Sequence, residues 1–96
     1  MKSLLIGEGA LPEQLNAINT AISSSPHVVR TIHTRTQYLG PDELLVAGKV
    51  QFRAGLTTAE LADAIDETEA AIRAAVPKVG LIYLEPDLYE ADRAID

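Results

Sequence analysis

One stretch limits what this chain can fold into more than any other. From Leu44 to Arg53, the residues Leu44, Val46, Val50 and Phe52 occupy one parity while Lys49, Gln51 and Arg53 occupy the other. Successive side chains of a strand point to opposite faces, so this alternation predicts a strand with one face in a core and one face polar. Such a strand needs a neighbour and a cover. The neighbour is predicted just before it: Val28 to Leu39 is rich in β-branched residues, Val28, Val29, Thr31, Ile32, Thr34 and Thr36, which favour extended backbone. The turn Tyr38-Leu39-Gly40-Pro41-Asp42 joins the two, and so short a link makes them antiparallel neighbours.

The cover is predicted from two amphipathic stretches. Leu15, Ile18 and Ile22 recur at helical spacing, and Pro12 with Glu13 suits a first turn, so a helix runs from about Leu11 to Ser23. Ser23-Ser24-Ser25-Pro26 ends it, because the residue before a proline resists helical backbone. Thr57 and Glu60 make a capping box, after which Leu61, Ile65, Ile72 and Val76 align on one side up to Pro77. A last strand is predicted from Val79 to Leu84, closing at Glu85-Pro86, with acidic chain from Asp87 onward. The expected fold is α+β: a two-layer open plait of ferredoxin-like or metallochaperone-like type, order α-β-β-α-β, with a three-stranded sheet and two helices on one face. Residues 1–10 are expected to be a junction, with Leu4-Leu5-Ile6 as an apolar stub and Gly7-Glu8-Gly9 flexible. Residues 11–88 are expected to form the domain and 89–96 an acidic tail.

Composition excludes several functions. At 96 residues one core is expected and no second unit. No run approaches the roughly 20 apolar residues of a membrane-spanning helix, and no signal peptide is visible, so a soluble intracellular chain is expected. The absence of cysteine removes disulfides, thiolate metal sites and thiol catalysis. Fourteen acids against eight bases give a formal charge of −6, which argues against nucleic acid, whose backbone attracts clustered Lys and Arg. No Gly-x-Ser-x-Gly elbow appears, and Gly7-Glu8-Gly9 is too short for a dinucleotide or phosphate loop. No enzyme is expected.

The remaining chemistry is sparse. His27 and His33 are the only histidines; extended chain between them spans roughly 20 Å, too far to chelate one ion within a chain. His33 could join ligands from elsewhere, although Arg35 shares its parity and would repel a cation. Asp63 and Glu67, four residues apart, could hold a hard cation loosely, but a solvated helix face explains them equally well. Lys49, Gln51 and Arg53, with Arg30 and Arg35 nearby, lie on a sheet face that the helices leave open. In so small a protein such a face is expected to pair with a second copy.

At Ile32-His33-Thr34-Arg35-Thr36-Gln37-Tyr38-Leu39-Gly40-Pro41, followed by Leu56-Thr57-Thr58-Ala59-Glu60 and Tyr83-Leu84-Glu85-Pro86, the chain resembles the C-terminal domain of the cation diffusion facilitators. The resemblance runs from about Leu4 to Leu88 and rests on the order and spacing of weak motifs. It implies a non-catalytic cytosolic module of a divalent-cation exporter in the cell membrane, with Zn²⁺ as the foremost cation. Such a module pairs with itself and follows a transmembrane domain. In several members bound metal closes the pair. Here the family's histidine positions fall on Arg30, Lys49 and Tyr83, and only Glu85 keeps an oxygen ligand. Arginine and lysine do not ligate Zn²⁺, so the resemblance implies a degenerate metal site and no firm cofactor. The weak candidates for Zn²⁺ or another divalent cation are His33, Glu85 and Asp87, while Arg30, Lys49, Tyr83 and Glu85 are candidates for a dimer contact or salt bridge. Positive charge from Arg30 or Lys49, paired with Glu85 or Asp87, would then replace the metal. Two other readings share the plait. One is a small-ligand regulatory domain, for which Ala54-Gly55-Leu56 offers few donors; the other is an acylphosphatase-like enzyme, for which no arginine-bearing phosphate loop is visible.

Overall fold

The computed structural model of the protein describes residues 8–88. Five elements follow one another: α1 (Pro12–Ser23), β1 (Val28–Gly40), β2 (Glu43–Phe52), α2 (Thr58–Ala75) and β3 (Val79–Leu88). Pro12 opens α1, and the Gln14 side chain accepts the Leu11 N–H at 2.9 Å, giving one orphan donor of that end a partner. The α2 capping box closes both ways: Thr57 Oγ1 accepts the Glu60 N–H at 3.1 Å, and Glu60 Oε1 accepts the Thr57 N–H at 2.8 Å. The second of these hydrogen bonds, reinforced by the Thr57 side chain, holds the Glu60 carboxyl below its ordinary value of 4.5. The turn from β2 into α2 is made by Gly55 at φ 89°, a left-handed conformation open to glycine at little cost.

The strands form one sheet in the order β1-β2-β3. The β1–β2 pair is antiparallel and the β2–β3 pair parallel, so α2 is the crossover of a β-α-β unit and the alternating strand is central. Both helices lie on one face. Ile18 and Ile22 from α1, Ile72 from α2, and Leu44, Val46, Val50 and Phe52 from β2 are fully buried together. Two polar groups enter this layer with partners. The Tyr38 hydroxyl donates to Gln14 Oε1 at 3.0 Å, and the Thr68 hydroxyl donates to the Ala64 carbonyl at 2.7 Å, which avoids the cost of a buried unpaired hydroxyl. Thr31 Oγ1 lacks such a partner. The α+β order and the two-layer arrangement agree with the sequence reading.

Two expectations are corrected. β3 does not close at Glu85-Pro86 but continues through Pro86 and Asp87 to Leu88. It is an edge strand, where the missing proline N–H need not leave a ladder partner unsatisfied. Glu8 and Ala10, expected within a flexible junction, are held against β1: the Glu8 carbonyl accepts the Tyr38 N–H at 2.7 Å and the Ala10 N–H donates to Thr36 Oγ1 at 2.9 Å. The rest of the expected junction, residues 1–7, and the acidic tail at 89–96 lie outside the described residues.

Candidate functional site

The face of the sheet turned away from the helices is built in rows by the strand register. Arg35, Ala47 and Tyr83 form one row, His33, Lys49 and Glu85 the next, and Arg30, Gln51 and Asp87 a third. Gln37, Leu45 and Leu81 complete the face on the far side of the Arg35 row. Nothing among the described residues covers these rows. Tyr83 is 62% exposed and Leu81 43%, whereas their β2 neighbours on the opposite parity are fully buried.

The register separates charge by strand. β1 brings Arg30, His33 and Arg35 to the face, β3 brings Glu85 and Asp87, and Lys49 lies between them on β2. Lys49 Nζ lies 3.7 Å from Glu85 Oε2, an ion pair across neighbouring strands with the carboxylate largely in solvent. Arg30 Nε donates to Gln51 Oε1 at 3.2 Å. Asp87 also has an interaction. The structure therefore brings Lys49 and Glu85 together, sets His33 one strand beyond Lys49, and places Tyr83 one row from Glu85. Arg53 is drawn away from this face: it follows β2, and its Nε donates to the Pro26 carbonyl at 2.7 Å.

These residues do not fit a metal ion within one chain. The row holding His33 and Glu85 places the Lys49 ammonium between them, and a cation there would meet that charge before it met two ligands. Among the described residues no group of three or more His, Cys, Asp or Glu side chains could hold an ion. Asp63 and Glu67 are both exposed on α2. A shallow depression of about 420 Å³, lined by residues that include His33, Arg35, Ala47, Glu69, Tyr83 and Glu85, opens widely to solvent. Among the described residues no helix is long and apolar enough to cross a membrane.

No protein-family model and no curated protein sequence matches the chain. Solved structures do. A nickel form of the MamM C-terminal domain superposes with a TM-score of 0.76 at 18% identity, covering 83% of this chain and 100% of that one. The chain has the fold of the MamM C-terminal domain. A copper form of the MamM domain gives a TM-score of 0.73 at 18% identity over 80% of this chain and 95% of that one. A MamM variant with two alanine substitutions gives 0.73 at 21% identity, over 80% and 92%. MamM is a cation diffusion facilitator, so the structural neighbours fall in the family that the sequence motifs resemble.

Column separation was not visible from residue types alone. Strand parity placed Lys49 on the open face, but its position opposite both His33 and Glu85 depends on two registers. Irregularities in β1 between Val28 and Arg30 and between Thr31 and His33 shift that strand against its neighbour, and a simple two-residue period cannot be carried across them.

Proposed function

We propose that the chain is a non-catalytic regulatory and dimerisation domain of a divalent-cation efflux transporter, lying on the cytoplasmic side beside the transporter's membrane part. The observation that carries this reading is the uncovered, charge-bearing sheet face in a chain with the MamM C-terminal fold. A domain of this size gains by covering such a face with a second copy. Arg30, Lys49, Tyr83 and Glu85 are assigned to that contact. The metal-bridged closure implied by the resemblance is replaced here by fixed charge, with Lys49 and Glu85 as the first pair. His33, Glu85 and Asp87 remain the groups through which Zn²⁺ or another divalent cation would act if two chains supplied ligands jointly.

Sedimentation of the metal-free chain, with and without Zn²⁺, tests the reading. A dimer whose affinity ignores the ion is the expected result. A chain that stays monomeric in both conditions would remove the dimerisation role, and one that pairs only with Zn²⁺ would replace fixed charge by a metal bridge.

A further inference from the structure

The depression bordered by His33, Arg35, Tyr83 and Glu85 has a charge balance opposite in sign to that of the whole chain. Two carboxylates line it, and each is already held by a cation. Glu69 Oε1 lies 3.6 Å from Arg73 Nη1, one turn along α2, and Glu85 Oε2 lies 3.7 Å from Lys49 Nζ. The two nitrogen-bearing side chains of the lining, His33 and Arg35, form no hydrogen bond or ion pair among the described residues. A chain with a formal charge of −6 therefore keeps an unpaired guanidinium at this hollow. Strand register explains the hollow itself. Arg35 and Ala47 are partners across β1 and β2, and His33 and Lys49 are partners in the adjoining row. Strands lie roughly 5 Å apart and same-face residues of one strand roughly 7 Å apart, so these four residues form one small cell. Three corners carry donor-bearing side chains and the fourth, Ala47, carries only a methyl group. A group resting on Ala47 lies within reach of Arg35, with His33 and the exposed Tyr83 hydroxyl as its neighbours.

We propose that the protein binds a small oxyanion, a phosphate or a carboxylate, over Ala47, with Arg35 as its principal ligand and His33 and Tyr83 as secondary donors. A planar guanidinium presents paired N–H donors that match two oxygens of either group, and an imidazole and a phenol each add a donor. Arg30 is not part of the site. Its Nε is engaged by Gln51, and its row lies four β2 residues from the Arg35 row, roughly 13 Å along the strand. That exceeds the roughly 10 Å over which exposed charges act at 0.1 M salt. A single chain supplies every donor, so the site goes beyond the pairing proposed above and does not need it. Because the hollow is shallow and open, binding is weak, with a dissociation constant on the order of 1 mM.

Titration of the full chain with inorganic phosphate and, separately, with acetate tests the site, read from amide NMR shifts at about 0.1 M chloride in a buffer free of both anions. Saturable shifts at His33, Arg35, Ala47 and Tyr83 are expected, and the tighter probe identifies the oxyanion. Arg35→Gln is expected to weaken binding about tenfold or more. Arg30→Gln, which removes the same charge from the same strand, is expected to change it by less than about twofold. Glu85→Gln frees Lys49 and is expected to tighten binding. All three side chains are exposed, and the amide spectra show directly that each variant keeps the fold. The site is overturned if neither probe gives saturable shifts at concentrations about tenfold above the expected constant. Equal losses from Arg30→Gln and Arg35→Gln overturn it as well, leaving only a general attraction to positive charge, as does a Glu85→Gln chain that binds more weakly.

Discussion

The two faces of β2 are made by one short run of backbone and behave as different materials. Leu44, Val46, Val50 and Phe52 are fully buried beneath the helices, while Leu45, Ala47, Lys49 and Gln51 between them keep contact with water. On the covered face, side-chain volume decides fitness and charge is excluded. On the open face, charge is tolerated and is divided by strand. A substitution should therefore affect the two faces through different measurements.

The largest expected effect is on the covered side. Phe52→Ala should cost about 3–5 kcal/mol in chemical denaturation, from lost burial and the cavity left behind. Tyr83→Ala removes an aromatic ring of similar size from the open face and should change monomer stability by less than about 0.5 kcal/mol while weakening self-association. Equal losses from the two would erase the distinction. A smaller change of opposite sign is expected at Thr31, whose buried hydroxyl has no partner: Thr31→Val should raise stability by about 1 kcal/mol, read from the same denaturation curves.

The cap that anchors α2 over the core gives a third measurement. Thr57→Ala should destabilise by about 1 kcal/mol. Because the hydrogen bonds from Thr57 hold the Glu60 carboxyl below 4.5, its contribution is present above the unfolded value and is lost as pH falls through the lower folded value. Stability of Glu60→Gln should therefore converge on that of the unaltered chain only in acid; a constant difference at every pH would refute this assignment. The smallest effect is expected within the open face. A double-mutant cycle of Lys49→Ala and Glu85→Ala should give a coupling of about 0.2–1 kcal/mol in monomer stability, since one partner is exposed. In dimer affinity the same cycle should remain non-additive; simple additivity there would separate the pair from the contact.

All five elements could be read from periodicity and punctuation, because each carries a local signal: a capping box at Thr57, alternation from Leu44, a serine-proline stop after α1. What escaped was set by distant partners. Nothing local to Glu85-Pro86 says that a proline may continue an edge strand, and the hold on Glu8 and Ala10 depends on Tyr38 and Thr36 far along the chain. The parallel pairing of β2 with β3 was likewise not written in either strand. For the open face, residue types and parity indicated polarity, but the division into basic and acidic columns appeared only once both registers were known.

The crossover has a kinetic consequence. β1 and β2 are joined by a tight turn and can zip locally, whereas β3 reaches its place only after α2 and its flanks have been closed into a loop, a slower step. The acidic column thus arrives last. A nascent or partly folded chain would present the arginines of β1 before the carboxylates of β3 are in place, so the charge balance of the open face is completed only with the sheet.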